Sequence, residues 1–158
     1  MADEKKLKQA RAVFKALCER LDEHNWQYEK DEDRLSIECG VQGDDLPMEL
    51  HIFVNPDNQL VSLLSPMPFI VPENRRSAVA VAVCQANSFM VDGSFDFDYT
   101  TGKLLFRLTA SYRESLISKE VFTYMISVSG HTIDEYNDKF LMIAKNDMTF
   151  EQIIEFID

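Results

Sequence analysis

The sequence predicts an α+β fold, an antiparallel sheet with helices in the order α-βββ-α-ββ-α plus a short C-terminal helix. Three patterns predict it. Residues 34–64 hold runs in which apolar and polar residues alternate, separated by turn-rich segments. Residues 93–107 read as a β-hairpin with alternating aromatic and acidic side chains. Three longer stretches repeat apolar residues at helical spacing.

The first helix runs from about Asp3 to Asp22, with Leu7, Ala10, Phe14, Leu17 and Leu21 on one face and Lys5, Lys8, Lys15 and Glu19 opposite. His24 to Tyr28 is a short strand or an extended linker, and Glu29 to Arg34 a solvated turn. The three strands follow. Leu35, Ile37, Cys39 and Val41 share a face of the first; Met48, Leu50, Ile52 and Val54 share a face of the second; Gln59 to Leu64 is the third. Residues 42–45 and 55–58 supply the Gly, Pro, Asn and Asp that reversals require. Pro66, Pro68 and Pro72 remove three donors, so residues 65–72 are expected to be a stiff connector and not a central strand.

The middle helix is expected to start near Pro72. Val79, Ala82, Val83, Ala86 and Met90 fall on one side of its wheel, and Ala78, Val81, Cys84, Gln85 and Ser88 on the other. The first side covers a sheet. The second is small and largely apolar, and a helix apolar nearly all round is buried on both sides. These five residues are therefore the candidate dimer interface, unless the long C-terminal helix of the same chain covers them.

In the hairpin, Phe95, Phe97 and Tyr99 point inward and Asp96 and Asp98 outward. A four-residue loop, Tyr99 to Gly102 with the glycine left-handed, sets Asp98 opposite Lys103 and Ser94 opposite Arg107. The second strand continues to Arg113. Ser118 then caps a long helix to about Ala144, in which Gly130 marks a bend or a close contact. Thr149 to Gln152 is a capping box opening a last helix that buries Ile153, Ile154 and Ile157.

The 158 residues suit one domain spanning 1–158. A net charge of −11 disfavours nucleic acid and anionic membranes and favours basic protein partners. No apolar run approaches the roughly 20 residues that span a bilayer. The N-terminus runs into an amphipathic helix and not a signal segment, so the chain is expected in the cytoplasm. Cys18, Cys39 and Cys84 read as reduced core or interface thiols.

Catalytic, cofactor and metal sites are not expected. His24, His51 and His131 have no partner at triad or metal spacing; Asp92, Asp96 and Asp98 line a wet strand face; phosphate-loop, HExxH and CxxC patterns are missing from the sequence.

Several segments carry a resemblance. Residues 66–69 (PMPF), 83–87 (VCQAN), 92–98 (DGSFDFD), 108–112 (LTASY) and 134–139 (DEYNDK) resemble the YbjN-like family of bacterial sensory transduction regulators, and the element order resembles type III secretion chaperones. The resemblance covers roughly Ser36 to Ile154. It implies a homodimer built around the middle helix that binds another protein or an extended peptide, with no cofactor. The alternative is a small-ligand sensor with a pocket between sheet and helices.

Overall fold

The computed structural model describes residues 3–158; Met1 and Ala2, part of the N-terminal reading, lie outside the described residues. The elements are α1 (Glu4–Glu23), β1 (Glu29–Asp31), β2 (Ser36–Gln42), β3 (Pro47–Asn55), β4 (Leu60–Ile70), a 3-10 turn (Glu73–Arg75), α2 (Arg76–Phe89), β5 (Ser94–Asp98), β6 (Lys103–Ser111), α3 (Lys119–Lys145) and α4 (Phe150–Ile157). The strands form one six-stranded antiparallel sheet in the order β1-β2-β3-β4-β6-β5. Burial alternates along β2, β3 and β6, so one sheet face meets the helices and the other meets water.

The α1 helix opens on Asp3, whose carboxylate accepts from the Lys6 backbone N–H at 2.8 Å. It buries Ala10, Val13, Phe14, Leu17 and Leu21. Leu7, expected on that stripe, lies in the first turn and stays partly exposed.

Two segments differ from expectation. The charged run is strand before it is turn: Glu29–Asp31 pairs with Ser36–Glu38. All three residues are exposed, so no apolar period marks the strand. Asp31 Oδ1 then accepts from the N–H groups of Asp33 and Arg34 at 3.0 and 2.9 Å, closing the turn. The proline segment is also strand. β4 continues through Pro66 and Pro68 to Ile70. Its paired residues toward β3 end at Leu64, and its pairing with β6 shifts register between Pro66 and Ile70. The missing N–H groups therefore fall where the ladder has already loosened.

The hairpin has the expected register, with Asp98 opposite Lys103 and Ser94 opposite Arg107. Gly102 sits at φ 76° against the Val71 carbonyl, a place with no room for a Cβ. Asp98 Oδ1 accepts from the Thr100 and Thr101 N–H groups, and Oδ2 from the Thr101 hydroxyl at 2.7 Å; these bonds hold its carboxyl below the usual carboxylate range. Tyr99, expected to point inward, lies in the turn and is exposed, because the strand ends at Asp98.

The core centres on Phe95. Its ring meets Phe106, Tyr136 and Phe140 edge-on, with centroids 5.3, 5.8 and 4.8 Å away. The α3 helix runs unbroken past Gly130, and a Cβ there would meet nothing within 4 Å, so a close contact does not explain that glycine. The capping box at Thr149 forms with both of its bonds. Ile154 remains partly exposed because α4 buries Ile153 and Ile157 on one narrow side.

Candidate functional site

The α2 helix lies between the sheet edge and two helices of its own chain, since α3, α4 and β5 all pack against it. Its alanines permit that approach: Ala78, Val79, Ala82, Val83 and Ala86 are all buried. Ala78, placed by the wheel on the outer side, is therefore a core residue. Packing by two helices widens the buried arc beyond what one sheet would produce. The other four candidate residues stay nearer the surface. Val81 is half-buried against the core's edge, Gln85 is half-buried, and Cys84 and Ser88 are exposed. Gln85 donates to the Asp158 carboxylate at 2.7 Å, which ties the end of α4 to this face. The Ser88 hydroxyl donates to the Gln85 carbonyl at 2.7 Å.

Arginines fix the start of α2. Arg75 donates from Nε and Nη2 to the Ile143 carbonyl, at 3.1 and 2.9 Å, near the C-terminal end of α3. Arg76 donates to the Thr100 carbonyl at 2.6 Å and to Tyr99 at 3.3 Å, joining the hairpin turn to the helix. The Ser77 and Tyr99 hydroxyls lie 3.0 Å apart. Exposed Tyr99 thus borders the outer face of α2 at one end, and exposed Phe89 and Val91 border it at the other.

The sheet edges are poor templates for an added strand. β1 has three residues, all charged and exposed. On β5, the Asn87 side chain acts as a substitute strand. Its Nδ2 donates to the Phe95 carbonyl at 2.9 Å, and its Oδ1 accepts from the Phe95 N–H at 2.8 Å. The sequence gives no sign of this clamp, because it depends on where the hairpin docks against α2. Replacing Asn87 with Leu is expected to leave both Phe95 groups unpaired and cost about 1–3 kcal/mol in a urea titration. Unchanged stability would show that the clamp does not hold the edge.

The remaining candidates separate in space. His24 caps α1 and borders a cavity of about 260 Å³ lined by Arg20, Leu21, Trp26, Val41, Ile126 and Gly130 among others. His131 is exposed on α3. His51 is not alone: its Nδ1 lies 3.3 Å from Glu38 and its Nε2 3.1 Å from Glu49. Asp92 accepts from the Tyr124 hydroxyl, Asp96 pairs with Arg107 at 2.5 Å and Asp98 holds its turn, so the three aspartates serve separate structural bonds. All three cysteines are free. Burial pushes the Cys39 thiol up to about 11 and raises that of Cys18. Among the described residues, no helix is long and apolar enough to cross a membrane.

Comparisons with known proteins agree with this architecture. No curated protein matches the sequence significantly. The crystal structure of YbjN from E. coli is similar at a TM-score of 0.57 and 12% identity, covering 79% of this chain and 91% of that one. A chain in the crystal structure of the ExsC-ExsE complex is similar at a TM-score of 0.55 and 14% identity, covering 80% and 92%. The α+β, secretion-chaperone-like fold expected from the element order is the fold found. The family described as "YbjN: Putative bacterial sensory transduction regulator" matches residues 14–142, and the chain belongs to that family.

Proposed function

We propose that this chain is a non-enzymatic protein-binding module, chaperone-like or regulatory. It works in the cytoplasm as one domain over residues 1–158 and as a homodimer. One observation carries the reading. On a helix whose other side is buried by its own chain through Ala78, Val79, Ala82, Val83 and Ala86, the side chains of Val81, Cys84 and Ser88 leave a strip in contact with water, bordered by exposed Tyr99 and Phe89. Small side chains allow a second helix to come close, and the aromatic borders add apolar area. Gln85, already bonded to Asp158, belongs to the same contact, and Ala78 supports it from beneath. A sensory transduction regulator family and a similar chain in the ExsC-ExsE complex support a protein partner. Because both sheet edges are blunted, the partner engages the helical layer, and the charge of −11 favours a basic one over nucleic acid or an anionic membrane.

Thiol labelling follows the pairing. Cys84 is expected to react fastest in the dilute protein and more slowly as concentration rises and the dimer shields it. Cys18 should lag, and Cys39 should react only on unfolding. Mass spectrometry of alkylated peptides reads all three rates, and a Cys84 rate independent of concentration contradicts the interface. The protein-binding reading itself is tested by affinity capture from host lysate with the purified chain. Recovery of one protein at stoichiometric level supports it. Repeated recovery of no protein, together with a co-purifying metabolite, favours a sensor. The cavity between α1, α3 and Val41 is the observation behind that second reading.

A further inference from the structure

We propose that Glu38, Glu49 and His51 form a binding site for a divalent transition-metal cation of the zinc class on the open face of the sheet. Strand alternation puts Glu49 and His51 on the same side of β3, and the β2–β3 register sets Glu38 directly opposite His51. One oxygen from each glutamate and one imidazole nitrogen lie within 4.8 Å of one another. Ligands about 2.0–2.2 Å from a zinc ion stand roughly 3–3.6 Å apart around it. Glu38 lies 3.3 Å from Nδ1 and Glu49 3.1 Å from Nε2, so each carboxylate has that spacing to its own ring nitrogen, and an ion held on one nitrogen needs the other glutamate to turn toward it. Both glutamate side chains are more than half exposed, so they can swing to one ring nitrogen, with water completing the coordination.

The surroundings favour a cation independently of that geometry. Glu29 stands directly opposite Glu38 across the β1–β2 pair, a like-charge contact that destabilises a sheet. Among the described residues, no Lys or Arg forms an ion pair with Glu29, Glu38 or Glu49. Gly40, opposite Glu49, leaves the approach open, since a Cβ there would meet nothing within 4 Å. An imidazole among carboxylates selects zinc, nickel or copper over calcium and magnesium, which prefer oxygen alone. The bound ion would join β2 to β3 on the face away from the helices, so the site does not depend on the protein-binding reading.

The test is titration of the full chain with zinc chloride, followed by calorimetry and by the histidine ring proton signals in NMR. Saturable binding of one zinc per chain is expected, with shifts at His51 and a raised melting temperature. H51Q and E49Q should lose that binding and keep the native circular dichroism spectrum, whereas H24Q and H131Q should retain it. No saturable binding, or zinc binding unchanged in H51Q, overturns the proposal. Calcium binding that survives H51Q with equal affinity also overturns it, because the carboxylates alone would then be the site.

Discussion

Phe95→Ala is expected to destabilise the fold by about 3–5 kcal/mol, a large share of the roughly 5–15 kcal/mol that holds a typical domain. The ring is 2% exposed and lies where β5, β6 and α3 meet. Truncation removes three edge-on aromatic contacts, to Phe106, Tyr136 and Phe140, and leaves a cavity that three aromatic neighbours cannot all close. Because Asn87 holds the Phe95 backbone, the strand cannot readily shift to fill that space. Urea denaturation reads the loss as a lower midpoint. Leu116→Ala, at an exposed hydrophobic away from the proposed interface, should change stability by no more than about 0.5 kcal/mol and serves as the control. A Phe95→Ala loss as small as the control's would displace Phe95 from the centre of the core.

Val81→Glu is the second substitution with a large expected effect, and the effect falls on assembly. Val81 is half-buried at the edge of the core, so within one protomer a glutamate can turn its carboxylate to water. Across a paired interface that escape closes. Two carboxylates related by a two-fold axis would be desolvated without partners, a cost of several kcal/mol per ion. The variant should therefore keep the helical and sheet signal of the native chain and lose the dimer.

These two predictions rest on elements of different legibility. The β5–β6 register was readable because one alignment satisfies the aromatic alternation, the Asp98–Lys103 pair and the left-handed Gly102 together. The core faces of β2 and β3 were readable for the same period-2 reason. β1 was not, since Glu29–Asp31 buries nothing and is defined by backbone pairing alone. The prolines in β4 misled because their cost depends on whether a neighbouring strand needs the missing donors, and β3 pairs no further than Leu64. At the candidate interface, the wheel shows the inner stripe of α2 but not that Ala78 is buried too, because helix cover by the same chain depends on where α3 and α4 dock. The short pattern in α4 marks an apolar side without naming what it covers. His51 looked solitary because Glu38 reaches it only through the strand register, although Glu49, two residues earlier on the same strand face, was visible.

Sedimentation equilibrium of the native chain beside Val81→Glu decides whether two copies pair through the outer face of α2. The native species is expected at twice the 18.2 kDa chain mass and the folded variant at the single-chain mass. A native chain that sediments at its single-chain mass across the accessible concentration range, or a variant that stays paired, would contradict that pairing.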